Sequence, residues 1–288
     1  MTSPAKGAPG QAGAILALTG PAYLWLTVAI LLPLSAMFYF SFLSEAPLAG
    51  KTGEWTLANY RAFFEQGFYG TLMLRSLRLG AEVVFWCFVL GFPCALVLAK
   101  SVKGRWREAL FLLVILPFWS NALVRIFSWT MMLRGNGILE RAIDWVVPGR
   151  FRLDIMFTYE AVVIGLVHSY LPYMILTCYI SLQAVQDDLI EAARSMGASR
   201  LTILRRILLP LSLPGILAGV VLIFVPVIGS FMEPRILGGR NGTFIGTVIE
   251  DQFTAVFNWP LGAALSFIML GCVGVVFALS RLALGRRG

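Results

Sequence analysis

Six long apolar runs separated by polar gaps dominate the chain, at about 14–40, 72–99, 109–133, 160–183, 213–236 and 258–282. A helix needs roughly 20 apolar residues to cross the hydrocarbon core of a bilayer. Each run meets that length, so the pattern predicts an all-α integral membrane protein of six transmembrane helices. The first run is too long for the apolar region of a signal peptide. No small-x-small cleavage site follows it, so it is read as a retained anchor.

Composition agrees with a lipid environment. Of 288 residues, 58% are hydrophobic and 13% charged, and the mean hydropathy is +0.81. Soluble domains run closer to half apolar and a quarter charged. The net charge of +8 would suit nucleic acid, but the basic residues lie in short gaps between apolar runs and form no continuous stripe. Nucleic acid is therefore rejected as a partner. Cys87, Cys94, Cys178 and Cys272 all fall inside apolar runs without metal-ligand spacing, and His168 is the single histidine. They read as packed side chains, so no metal site is expected. The sequence holds no G-x-x-x-x-G-K-[ST] phosphate loop and no H-E-x-x-H. Neither nucleotide hydrolysis nor intramembrane proteolysis is expected of this chain itself.

Charge sets the orientation. With both termini cytoplasmic, the inner segments hold 12 basic residues, beginning at Lys6 and ending at Arg286 and Arg287. The outer segments hold 10, among them Lys51, Arg150 and Arg152, but they are longer and carry most of the acids, including Asp154. The short inner loop 100–107 packs in Lys100, Lys103, Arg105 and Arg107. Density in short loops is what the positive-inside rule weighs, so both ends are placed inside.

On that topology the longest cytoplasmic connection is 184–212, and it reads as two short helices. Asp188 with Glu191 three residues on has capping-box spacing. Ala192 and Ala193 favour helix, Gly197 suits a C-terminal stop, and Ser199 can cap a second helix beginning near Arg200. The small residues Ala192, Ala193 and Gly197 suit close approach by another surface. Alternatively, Arg200, Arg205 and Arg206 would face anionic lipid from an interfacial helix.

The pattern Glu191-Ala192-Ala193, three residues, Gly197, then Leu209-Pro210 resembles the EAA loop of binding-protein-dependent ABC importer permeases. LPFWSNALVRIFSW (116–129), IMFTYEAVVIGLVHSYLPYM (155–174), LGGRNGTFIGTVIEDQF (237–253) and NWPLGAALS (258–266) are similar to the first permease subunit of the spermidine/putrescine-type branch. The resemblance spans about 15–282. It implies a single permease domain over 1–288: a cytoplasmic tail at 1–13, an anchor helix at 14–40, a five-helix type I importer core at 72–282, and a coupling loop at 184–212. It further implies two ATP-binding subunits that carry ATP and magnesium, a second homologous permease and a periplasmic solute-binding protein. The setting would be multi-pass in a bacterial inner membrane. In that family the loop docks into a cleft on the ATPase, which assigns coupling to Asp188, Glu191, Ala192, Ala193, Gly197, Ser199 and Arg200.

Charged residues inside spans are functional suspects. Counting 1.5 Å per residue places Glu82 about 15 Å and Arg125 about 12 Å deep, at similar depth in an antiparallel hairpin. They read as a structural ion pair, with Arg78 sharing Glu82 at i, i+4, ahead of direct substrate contact. Asn121 and Arg125 are also four apart, and with Trp119 they would put one face toward a pathway. Glu233 before Pro234 would attract a cation or be a solvated acid. Relatives commonly carry an acid after this proline, whereas this chain has Arg235, which would repel a multiply charged cation. A polyamine is the leading solute and a zwitterionic amino compound the alternative. Pro226 and Gly229 interrupt the fifth run and suggest a moving, pore-adjacent helix. Gly215, Ala218 and Gly219 suit close packing, within the chain or between two permeases. An ion-coupled secondary transporter and a non-transporting membrane scaffold remain as readings from other classes. The former wants midplane ion sites and inverted repeats.

Overall fold

Lipid tails are as apolar as leucine, so helices in a membrane associate through close packing and hydrogen bonds rather than escape from water. A computed structural model of the protein describes residues 9–46, 53–146 and 155–285. Most of the expected 1–13 tail, with Lys6, lies outside the described residues, as do Lys51, Arg150, Arg152, Asp154, Arg286 and Arg287. The described residues are helical throughout; one isolated bridge, Leu43 with Trp55, is the extended pairing among them. The chain divides into two units, residues 1–65 with 252–288 and residues 66–251.

In the first unit, α1 (Pro9–Ser41) packs beside α14 (Trp259–Gly285), with Phe38 edge-on to Phe267 at 5.1 Å. The short helix α2 (Ala58–Glu65) is tied to the end of α1: Asn59 Nδ2 donates to the carbonyls of Ser41 (3.1 Å) and Leu43 (2.8 Å). Only 6% of the Leu18–Ser41 apolar window is buried.

The second unit is built on α3 (Gly67–Leu96), α7 (Tyr159–Gln183) and α11 (Leu213–Ile228). Their shared core includes Val83, Cys87, Leu166, Met174, Cys178 and Ile223, all fully buried. A Cβ on Gly219 would stand 2.6 Å from Thr177 Oγ1 and 2.8 Å from Met174 Sδ; one on Gly215 would collide with the Thr177 carbonyl oxygen and Ser181 Cβ. Both glycines therefore serve the α7–α11 seam inside this chain, while Ala218 is exposed. Helix α3 ends in a π-helical turn, Val97–Ser101.

Among the described residues four helices are long and apolar enough to cross a membrane: Leu18–Ser41, Gly67–Ser101, Tyr159–Gln183 and Trp259–Ala278. Two bent pairs raise the number to as many as six. The expected run 109–133 is not one straight helix: α4 (Arg105–Ile115) passes through the 3-10 turn Leu116–Trp119 and meets α5 (Ala122–Leu133) at 96°. The expected run 213–236 is also divided, because α11 stops at Ile228 and α12 (Met232–Gly238) follows a break. On its other side, Arg200–Leu211 meets Leu213–Ile228 at 62°. Helices α6 (Ile138–Val146) and α13 (Ile245–Thr254) lie in the connections.

Candidate functional site

The connection 184–212 folds as two helical pieces, as its sequence suggests. Helix α8 runs Asp187–Ser195, with Gln186 at the N-cap and no side-chain cap bond. Asp188 is therefore not the cap but a first-turn residue, beside Asp187; both carboxylates suit the positive end of the helix dipole. At the other end, Gly197 N donates to Arg194 O (2.9 Å) and Ala198 N to Ala193 O (3.0 Å), with Gly197 at φ +81°. This double closure is a Schellman motif, and its left-handed residue favours glycine. Ser199 then caps the next piece, its Oγ accepting from Thr202 N at 3.2 Å. That piece comprises α9 (Arg200–Ile203), a π-helical turn Leu204–Leu208 and α10 (Leu209–Leu211).

The small residues do not all share one surface. Ile190 and Ala193 are buried, whereas Glu191, Ala192, Gly197 and Arg200 are exposed. A Cβ on Gly197 meets nothing within 4 Å. Ala193 anchors the helix to its own chain, and the exposed residues include Leu189, Glu191, Ala192, Arg194 and the 81%-exposed Met196. Lys100 Nζ, from the end of α3, donates to Val185 O (2.6 Å) and to Asp187 Oδ1 (2.7 Å). The Lys100 hydrogen bond and charge hold the Asp187 carboxyl below the usual carboxylate range.

The polar residues inside the spans are arranged differently from expectation. Glu82 and Arg125 do not pair: Glu82 Oε2 accepts from Tyr159 Oη at 2.8 Å, and Arg125 Nη1 donates to Pro117 O at 2.8 Å. The equal-depth estimate assumed a straight third span, and the 96° bend removes that basis. Pro117 O also accepts from Ser120 Oγ (2.7 Å) and Ser120 N (3.2 Å). Arg125 thus satisfies a carbonyl that the helix break sets free. Asn121 is spent similarly, as the N-cap of α5 accepting from Leu123 N at 2.8 Å. Trp119 projects outward, 90% exposed. Glu82 instead opens on a groove of about 520 Å³ between α3, α5 and α7, with Trp86, Trp129, Glu160 and His168 in its lining.

At the far end of α11, Pro226 lies in the last turn and Gly229 is the C-cap. Glu233 lies in the first turn of α12 and accepts from Ser230 Oγ at 2.9 Å. Gly246 on α13 faces this break closely: a Cβ there would stand 2.6 Å from Ser230 O and 2.8 Å from Gly229 O. Arg235 is not an isolated cation. It pairs with Glu250 and Asp251, each at 2.5 Å, and the Asp251 hydrogen bond raises its basicity against the opposing effect of burial. With Glu233 nearby the local balance is acidic, which removes the expected repulsion of cations. Among the described residues no group of three or more His, Cys, Asp or Glu is placed to hold a metal.

Sequence reasoning missed Tyr159, Gly246 and the Lys100 junction. The signals were faint: a tyrosine at a span entrance, a glycine in an amphipathic helix, and one lysine among four basic residues in a short loop.

The family model for a "Binding-protein-dependent transport system inner membrane component" matches residues 91–287. The spermidine/putrescine transport system permease protein PotB of Escherichia coli (strain K12) is 36% identical over 252 residues, 88% of this chain and 91% of its own length. The inner membrane ABC transporter permease protein YdcU of the same organism is 28% identical over 238 residues, covering 79% and 75%. Among solved structures, a chain of a bacterial ABC transporter that imports the acidic polysaccharide alginate superposes with a TM-score of 0.71 at 17% identity, covering 96% of each chain. The MetNI methionine ABC transporter gives 0.54 at 18% identity, covering 74% of this chain and 93% of that one. These two likenesses concern the fold. With the family match and the PotB identity, the chain belongs to the inner-membrane permease components of binding-protein-dependent ABC transport systems.

Proposed function

We propose that this chain is one of two permease subunits of an ATP-driven polyamine importer, with α8 as the element through which a partner ATPase moves it. The observation that carries the reading is α8 itself: a short helix fixed inward by Ile190 and Ala193, stopped at Gly197, and presenting Glu191, Ala192 and Met196 outward. Two ATP-binding subunits holding ATP and magnesium, a second homologous permease and a periplasmic solute-binding protein complete the machine. The chain crosses the inner membrane six times with both termini in the cytoplasm, each bent pair counting as one crossing. Closure of the ATPases shifts α8, rocks α7 and α11, and opens the pathway outward; hydrolysis resets it. A ligand or partner shifts such an equilibrium only by contacting the two states differently, and an exposed protein-facing helix supplies that difference.

A polyamine is favoured as solute by the identity with PotB and by the chemistry of the groove. Glu82, oriented by Tyr159, offers a carboxylate beside the indoles of Trp86 and Trp129, and organic ammonium groups bind to carboxylates and aromatic faces. The acidic balance around Arg235 supports cation entry. Uptake of labelled putrescine and spermidine by the complete complex in proteoliposomes tests the reading. It requires uptake that depends on both ATP and the binding protein; uptake of a zwitterionic amino compound in preference would replace the solute while leaving the machine.

A further inference from the structure

Helix α7 ends at Gln183 and α8 begins at Asp187, so residues 184–186 form the joint about which α8 would turn relative to the membrane helices. The carbonyls at the end of α7 carry partial negative charge and lack helical donors. The carboxylate of Asp187 stands across the same joint. A cation from a third helix occupies the gap: the Lys100 ammonium bonds Val185 O and Asp187 Oδ1 together, and its side chain is only 13% exposed. Val185 is itself buried. Lys100 lies in the π-helical turn Val97–Ser101, a kind of irregularity often found at functional sites.

We propose that Lys100 is a positioning residue that locks the α7–α8 joint to the end of α3, so that movement of α8 is delivered to α3 and not lost as a swivel. The inference rests on the coupling role of α8 proposed above. Lys103 and Arg107 also act electrostatically on Asp187, but Arg107 Nε is bonded to Val102 O at 2.9 Å, and among the described residues it is Lys100 that bonds both the joint, at Val185 O, and the first residue of α8, Asp187. The bridge is more than an ion pair. Asp187 is largely exposed and its charge is screened; the donor to the Val185 carbonyl sits in the buried half.

Two variants of the reconstituted complex test this: Lys100→Met, and the exchange Lys100→Asp with Asp187→Lys. The readout is solute taken up per ATP hydrolysed, which a merely structural defect does not change because both rates then fall together. Lys100→Met lowers that ratio by about tenfold or more, the scale of a lost charge-assisted hydrogen bond. Lys100→Arg, which keeps a cationic donor, recovers part of it. The charge exchange does not recover it, since aspartate at position 100 would face the Val185 carbonyl without a proton to offer. An unchanged ratio in Lys100→Met, or full recovery by the exchange, overturns the proposal. Failure of the underlying coupling role would look different: a crosslinker at Ala192 of the unmutated complex would give no adduct with the ATP-hydrolysing subunit.

Discussion

Gly197 offers a perturbation whose size follows from the structure. At φ +81° it occupies the left-handed region, and a Cβ there meets nothing within 4 Å. Replacement by alanine therefore carries no steric clash within the chain, only the conformational cost of a left-handed L-residue, about 1–2 kcal/mol. That shifts the balance between a closed and a frayed α8 terminus by a factor of roughly 5–30. Asparagine, which tolerates this conformation, loses much less. Leucine suffers about the same conformational cost as alanine in this chain alone, so any further loss reports a neighbour outside the chain. The assay is uptake and binding-protein-stimulated ATP hydrolysis of the reconstituted complex, scored against the yield of inserted protein. The expected order is glycine, asparagine, alanine, leucine, with a clear step between the last two. Wild-type coupling in Gly197→Ala would refute the conformational argument, and equal activities of alanine and leucine would remove Gly197 from the docked surface.

Four further outcomes are expected. Ser199→Ala removes the cap of the second helical piece and destabilises it by about 1 kcal/mol, visible as faster amide exchange over 200–204. Asn121→Ala costs a similar amount at the start of α5, and Asn121→Asp, another capping residue, restores it in thermal unfolding of the purified complex. Gly215→Ala overpacks the α7–α11 seam by about 1–3 kcal/mol and lowers the melting midpoint, while Ala218→Val, on an exposed position, does not. Arg235→Ala changes stability by less than about 1 kcal/mol, because its pairs are partly exposed, and does not raise putrescine uptake. A rise would show that Arg235 repels the solute despite its acidic partners.

Hydropathy reveals the spans because lipid imposes apolarity on every residue that faces it, and that requirement is blind to direction. The run 109–133 is apolar on both sides of a 96° turn, so the break was legible only in Pro117, Ser120 and Asn121, and Asn121 was read instead as part of a helix face with Arg125 and Trp119. The Glu82–Arg125 pairing failed with it, since depth was counted along a straight rod. The stop at Gly197 and the cap at Ser199 were readable because local backbone geometry restricts the residue types that serve there. The Asp188 cap was misplaced because Asp187 and Asp188 both suit a first helical turn, and the actual N-cap, Gln186, makes no side-chain bond for the sequence to signal. The structure starts α8 two residues earlier, at Asp187, where Lys100, 87 positions away, meets it. Long-range partners of this kind leave no trace in spacing. The same holds for Arg235, whose sign was plain in sequence and whose two acids were not.

The most direct measurement is site-specific photocrosslinking from Ala192, exposed on the outer side of α8, in membranes containing the complete transporter. The account predicts an adduct between this position and the ATP-hydrolysing subunit, with a yield that differs between nucleotide-free and ATP-bound states. Adducts to lipid alone, unaltered by nucleotide, would contradict it.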